Sequence, residues 1–207
     1  MTSKVTTHHL VSVFLAFAFA ALGNSVQAAD FLEGIPIEAE HDVSYNRQRD
    51  YGGWATPEPC MSTRMVVLRD QSEPSKIKIR TKPNGSCEVW LGEWQEPYVG
   101  YVTTDPRNLQ IDHLVPLKEA HRSGAFQWTK EKRREYANWL EDKLHLLAVD
   151  GSANMQKGDK DPAKWQPAND NFRCTYLRKW VEVKRKWQLS MDEAEASAVR
   201  MGLAACP

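Results

Sequence analysis

The sequence has no excess of either charge, no cysteine pair spaced for zinc, and no apolar run long enough for a permanent membrane anchor. Its 207 residues carry 27 basic and 27 acidic side chains, so the net charge alone identifies no partner. The sequence contains no CxxC, CxxH or His-Glu-x-x-His motif, which argues against a zinc finger and a zinc peptidase. A hydrophobic content of 42% is enough for a packed core and argues against a wholly disordered chain.

The first 28 residues have the pattern of a secretory signal peptide. Lys4 is the only charged side chain before Asp30, and residues 10–22 are almost entirely apolar. Val26-Gln27-Ala28 then places small residues at the two positions that a cleavage site requires. A non-cleaved anchor is the alternative. We predict cleavage after Ala28, no membrane anchor in the mature protein, and a secreted or periplasmic location.

Because the chain is predicted to be exported, we expect its four cysteines to form disulfides. Four cysteines allow three pairings. The pairing Cys60–Cys87 with Cys174–Cys206 is favoured, because each bond then closes a loop of about 30 residues within its own half of the chain. The chain-entropy model assigns each such loop roughly 3–4 kcal/mol of stabilisation.

The pattern along the mature chain predicts one α+β domain behind a short leader. Residues 29–58 are acidic and loop-rich, and residues 59–207 form the folded domain. Residues 76–91 alternate around a Pro-Asn-Gly-Ser turn and predict a β-hairpin, and a β-branched run at 64–69 favours a strand. Further strands are expected at 109–112 and 144–149, and helices at 117–123, 129–140, 153–157, 171–187 and 191–201, with Thr129, Ser152 and Ser190 as N-caps.

The adjacent pair Asp112-His113, at the end of a predicted strand, and Asn154, in a short predicted helix, together indicate hydrolytic chemistry. Phosphodiester hydrolysis needs a base that works near neutral pH, which an imidazole provides. It also needs a hard divalent cation to stabilise charge on the phosphate, and such a cation prefers carboxylate and amide oxygens. We therefore expect Asp112 and Asn154 to approach each other in the fold, with His113 beside them.

These residues resemble a known family. Asp112-His-Leu-Val-Pro116, followed by Asn154-Met-Gln-Lys157, is similar to the HNH nucleases with a ββα-metal fold, in particular to exported bacterial proteins related to the C-terminal domain of GmrSD restriction enzymes. The resemblance extends over roughly residues 45–187. It implies a ββα-metal core between an N-terminal β-hairpin region and C-terminal helices. It also implies His113 as general base, and Asp112 and Asn154 as ligands of Mg²⁺, with Mn²⁺, Ca²⁺ or Zn²⁺ as alternatives.

One position departs from the family pattern. The middle motif residue, commonly an Asn that orients the base, is His145 here, which leaves the base-orienting role open. We assign His145 to the catalytic group in a supporting role. Arg64 and Lys157 are assigned to phosphate binding, with an ordinary strand-start arginine and a solvated charge run as the alternatives.

The sequence thus predicts a monomeric, metal-dependent endonuclease that acts on DNA, with RNA as a second candidate substrate. A different class of function is also compatible with the composition. In that alternative, the chain is a catalytically silent, disulfide-stapled binding module of the cell envelope that uses its tryptophans on glycan or protein.

Overall fold

The computed structural model describes Met1 and residues 31–207, so the predicted signal peptide lies, apart from Met1, outside the described residues. The described chain is α+β, as the sequence predicts, with two-stranded antiparallel sheets and several helices. No helix within this part of the chain is long and apolar enough to cross a membrane.

The elements follow one another in a simple order, with the short strands mostly before the long helices. The strands are β1 (Lys78–Thr81), β2 (Cys87–Leu91), β3 (Trp94–Gln95), β4 (Val102–Thr103), β5 (Leu109–His113) and β6 (Leu146–Asp150). The α-helices are α1 (Arg47–Asp50), α2 (Thr63–Asp70), α3 (Leu117–Arg122), α4 (Lys130–Ala137), α5 (Gly151–Lys157), α6 (Asp170–Lys186) and α7 (Glu193–Ala204). Short 3-10 turns lie at Pro106–Asn108 and Ala125–Gln127.

The predicted hairpin is confirmed. β1 and β2 pair antiparallel, with Arg80 opposite Glu88 and Thr81 opposite Cys87. Gly85 has φ +82° in the connecting turn, a conformation that glycine adopts without a steric cost. The Cys60–Cys87 disulfide fixes this hairpin to the segment before α2, and Cys174–Cys206 joins α6 to the end of the chain, so the predicted pairing is also confirmed.

A strand pair followed directly by a helix positions the predicted site. β5 and β6 pair antiparallel, with Asp112 opposite Leu147 and His113 opposite Leu146. The strands are joined through α3 and α4, and α5 begins at the residue after β6. Asp150 is the N-cap of α5, because its side chain accepts a hydrogen bond of 2.8 Å from the Ala153 amide. The prediction of Ser152 as the cap is therefore wrong.

Two other sequence expectations require correction. Residues 64–69 lie in α2 rather than in a strand, because Ser62 caps the helix and the two valines are buried in the core beside β2. Burial of this kind overrides the β-preference of branched side chains. The cap of α7 is Asp192 instead of Ser190. The hydroxyl of Ser190 bonds to the Ser123 carbonyl at 3.2 Å.

The main core lies between α3, α4, α6 and α7, and the segment before residue 58 contributes to it. Leu32, Ile35 and Tyr51 are buried in the same cluster as Trp180 and Val199. Ile37 forms a parallel bridge with Met191. The domain boundary at residue 58 stays a prediction, although these contacts attach the leader to the helices.

Candidate active site

A cleft of about 290 Å³ opens where the end of β5 meets α5. The three residues that the sequence singles out for the reaction, Asp112, His113 and Asn154, all line it. They come from two elements, β5 and α5, and 41 residues lie between Asp112 and Asn154 in the sequence. The antiparallel pairing of β5 with β6 brings these elements together. The remaining lining residues are Tyr45, Arg47, Ile111, Pro116, Leu117, Lys118, Gly158 and Asp159.

Asp112 is buried, with 6% of its surface exposed. Its Oδ2 accepts two hydrogen bonds, one of 2.5 Å from the Tyr98 hydroxyl and one of 2.7 Å from Nζ of Lys157. Its Oδ1 has no hydrogen-bond partner within residues 31–207. The carboxylate therefore has one oxygen held by the protein and one oxygen left for a ligand.

Asn154 lies in α5 and is partly exposed. Its Nδ2 donates a hydrogen bond of 2.8 Å to Oε1 of Gln110, a residue of β5. This contact fixes the plane of the amide, and the amide oxygen has no partner in the described part of the chain. Asn154 and Asp112 thus line the same cleft, and each has one oxygen without a partner among residues 31–207.

His113 is 5% exposed and is held by a backbone carbonyl. Its Nε2 lies 2.9 Å from the oxygen of Ala137. Because a carbonyl can only accept, Nε2 carries the proton and the lone pair is on Nδ1. Trp54 stacks on the ring at 5.5 Å. Burial, and to a smaller extent the nearby His145, lowers the pKa of His113 well below its ordinary value, so the ring is neutral.

His145 does not bond to His113. Its Nε2 donates to the oxygen of Tyr136 at 2.7 Å, and its ring meets that of His113 edge-on at 6.3 Å. Burial lowers the pKa of His145 to about 4. The two imidazoles therefore bind adjacent carbonyls at the end of α4, where helical carbonyls lack partners within the helix. His145 thus bonds to the residue directly before the one whose carbonyl holds His113.

Neither of the two predicted phosphate contacts lines the cleft. Lys157 is fully buried, with its ammonium group bonded to Asp112 and to the His113 carbonyl at 3.0 Å. Arg64 donates to the Leu109 carbonyl at 3.0 Å and is largely desolvated, which lowers the pKa of its guanidinium. These contacts differ from the solvent-facing role that the sequence suggests. Phosphate binding by Lys157 and Arg64 stays a prediction.

Other cations do line the cleft. Arg47 is exposed on α1 and lies 5.5 Å from the ring of Trp54, and Lys118 pairs with Asp159 at 2.9 Å. Sequence reasoning missed both as site residues, although Arg47 belongs to the Tyr-Asn-Arg triplet within the region of resemblance. No motif spacing indicated Lys118.

Asp159 is itself fixed by a network that begins in the core. Arg122 donates to Asp159 at 2.7 Å and to Glu119 at 2.8 Å. Glu119 in turn accepts from the buried ammonium of Lys184 at 2.7 Å. Although burial alone would raise it, the pKa of Glu119 is lowered to about 2 by Lys184 and its other hydrogen-bond donors. An ionised network thus connects α3 and α6 to one wall of the cleft.

The fold and the cleft define a small α+β protein whose polar centre lies between a strand pair and the following helix. Residues 67–200 match the family described as GmrSD restriction endonucleases, C-terminal domain. The chain is also 34% identical, over 179 residues, to an uncharacterized secreted protein of Arthroderma benhamiae, covering 86% of this chain and 84% of that relative. No solved structure matches it. The chain belongs to the GmrSD C-terminal domain family, which associates it with nucleases.

Proposed function

We propose that the protein is an exported, metal-dependent endonuclease of the HNH type that hydrolyses phosphodiester bonds of DNA and also of RNA. The observation that carries the proposal is the convergence of Asp112, His113 and Asn154 in one cleft. The order of β5, β6 and α5 supports a ββα-metal core, since it provides an antiparallel strand pair followed by a helix. Family membership supports nuclease chemistry.

His113 acts as the general base. The Ala137 carbonyl holds the proton on Nε2, so Nδ1 is the atom that accepts a proton from the attacking water. The depressed pKa keeps this nitrogen unprotonated over the whole neutral range. The stacked indole of Trp54 excludes water from one face of the ring.

Asp112 and Asn154 hold the divalent ion. The donor set fits a hard cation, because each residue offers one oxygen that has no partner among residues 31–207. When bound there, an ion such as Mg²⁺, with Mn²⁺, Ca²⁺ or Zn²⁺ as alternatives, stabilises the charge that develops on the phosphate and on the leaving oxygen. Mg²⁺ commonly takes one or two protein ligands, which matches this pair.

Arg47 and Lys118 bind the flanking phosphates. Both carry their charge at the cleft margin, where contacts with the backbone of a nucleic acid position the scissile bond without reading its sequence. Two disulfides and the secreted relative support action outside the reducing cytosol.

The test compares cleavage of plasmid DNA and of a structured RNA by the mature protein, with Mg²⁺, with Mn²⁺ and with EDTA. Chelation should stop cleavage while the circular dichroism spectrum and the melting temperature stay unchanged, because the ion is not part of the core. Asp112→Asn and Asn154→Ala should raise the metal concentration for half-maximal rate. The asparagine change at Asp112 avoids leaving Lys157 without a partner.

Asn171→Ala is the matched control for Asn154→Ala, because Asn171 is exposed near the start of α6 and away from the cleft. It should cleave at the wild-type rate. A well-folded protein that degrades neither substrate with any of these cations would contradict the proposal and favour the binding module.

A further inference from the structure

Two buried donors from different parts of the chain meet at one oxygen of Asp112. Tyr98 lies in the turn between β3 and β4, and Lys157 is the last residue of α5. Each is fully buried, and both donate to Oδ2. The side chain of Asp112 is thereby prevented from rotating, and Oδ1 is the oxygen that remains for the cleft.

The position of Tyr98 is fixed by several contacts rather than by its hydroxyl alone. Its amide donates to Oε1 of the buried Glu96 at 2.8 Å, and its carbonyl accepts from the Asn169 amide at 3.0 Å. The same Oε1 of Glu96 accepts from the Asp150 amide at 3.0 Å. Glu96 therefore connects the Tyr98 turn directly to the junction where α5 begins.

This connection matters because α5 carries Asn154. Glu96 bonds both to the turn that carries the Tyr98 hydroxyl and to the backbone of Asp150, directly before α5. The Tyr98 hydroxyl and the Asn154 amide are thereby held in a fixed relative position. The ring of Tyr98 is also packed at 5.0 Å from Trp165 and 6.1 Å from Tyr176. Its hydroxyl is thus a preorganised donor, of the kind that orients metal ligands elsewhere.

We propose that Tyr98 is a positioning residue for the metal centre, which holds Asp112 so that Oδ1 faces Asn154 across the cleft. The inference rests on the proposed function, because it takes Asp112 as a ligand. Removal of the hydroxyl leaves Lys157 as the one donor to Oδ2 among residues 31–207. The carboxylate then samples orientations in which Oδ1 no longer meets the ion. Loss of a partner that orients a ligand typically weakens metal affinity about 10–100-fold.

The test measures Mn²⁺ binding to the intact protein by electron paramagnetic resonance, without nucleic acid and therefore without turnover. Tyr98→Phe should raise the Mn²⁺ dissociation constant about tenfold or more. Its cleavage should recover at high Mn²⁺, because the base and the phosphate contacts are unchanged.

Tyr176→Phe is the matched control. Tyr176 is equally buried in the same aromatic cluster, but its hydroxyl has no hydrogen-bond partner within residues 31–207. A purely structural role for the Tyr98 hydroxyl would lower the melting temperature and leave Mn²⁺ affinity at the control value. That result would overturn the positioning role.

Asp112→Asn separates this outcome from failure of the proposed function. If it weakens Mn²⁺ binding while Tyr98→Phe does not, the positioning role is wrong and the metal centre stands. If Asp112→Asn leaves Mn²⁺ binding unchanged, Asp112 is not a ligand, and both proposals are overturned.

Discussion

His113 is fixed by a carbonyl at one edge and by an aromatic ring on its face. The Ala137 oxygen binds Nε2, and Trp54 stacks nearly parallel, with 7° between the ring planes. The carbonyl selects the tautomer and the indole limits tilting of the ring. The main chain at the end of α4 therefore orients His113, the proposed base, and His145 bonds to the neighbouring carbonyl of Tyr136.

Replacement of His113 tests the base directly. His113→Ala should lower the cleavage rate by about 10²–10⁴-fold, the usual contribution of a positioned general base. The measurement is single-turnover cleavage at saturating Mg²⁺. His121→Ala is the matched control, because His121 is also buried but contacts Ser44 and Tyr51 rather than the cleft. Equal rates for the two folded variants would exclude His113 as the base.

At the scale of elements, the end of α4 depends on two neutral imidazoles. His113 and His145 bind the carbonyls of Ala137 and Tyr136, which lie on consecutive residues. Protonation of either ring places a charge in the core, where desolvation makes it unfavourable. The helix end that orients His113 is therefore sensitive to acid.

The contribution of His145 to this acid sensitivity follows from its pKa. Its pKa is 6.5 when unperturbed and about 4 in the fold, so between these values the unfolded chain binds the proton more readily. The stability that His145 contributes is complete above pH 6.5 and is lost as the pH falls toward 4. Integrated over this shift in pKa, the free energy of unfolding decreases by at most about 3 kcal/mol.

Urea denaturation at pH 7, 5.5 and 4 measures this contribution. His145→Gln removes the titrating ring and should show a smaller decrease in unfolding free energy over this range than the wild type does. Cleavage by His145→Gln should change less than cleavage by His113→Ala. Parallel pH profiles for the variant and the wild type would show that His145 does not titrate in this range.

The helices and strands also show which structural features can be predicted from the sequence. The hairpin at 76–91 was predictable because its turn residues and alternation are local signals. The meeting of Asp112, His113 and Asn154 in one cleft was predictable because they form a motif, whereas their roles stay predictions. Helix α2 was not, since the burial of Val66 and Val67 against β2 is a long-range effect. The contact of Tyr98 with Asp112 was equally unpredictable from the sequence, because no residue type or spacing marks a buried tyrosine as a hydrogen-bond donor.

At the scale of the whole molecule, the leader is part of both the core and the cleft. Leu32 and Ile35 are buried in the helical core, and Arg185 donates to the carbonyls of Phe31 and Glu33. Further along the leader, Arg47 lines the cleft. The acidic composition that marks this segment in the sequence does not separate it from the fold.

Truncation tests the role of the leader. A chain of residues 59–207 should be destabilised by more than about 4 kcal/mol relative to a chain of residues 31–207, because it loses Leu32, Ile35 and Tyr51 from the core, and each buried side chain of this size contributes roughly 1.5–3 kcal/mol. Thermal denaturation compares the two. Equal melting temperatures would establish residues 59–207 as an independent domain.

The ion pair between Asp112 and Lys157 would also determine how the cleft responds to the proposed metal ion and nucleic acid. With Nζ of Lys157 2.7 Å from Oδ2, the charge of the carboxylate is already balanced before any cation arrives. The free cleft would therefore attract a divalent ion less strongly than an unpaired carboxylate would. In the proposed reaction, the phosphodiester would bring the missing negative charge, so the cation and the nucleic acid would each strengthen the binding of the other. By thermodynamic linkage, the factor by which the polymer tightens the ion equals the factor by which the ion tightens the polymer. Such a centre would bind its ion more tightly when the substrate is present than when it is absent.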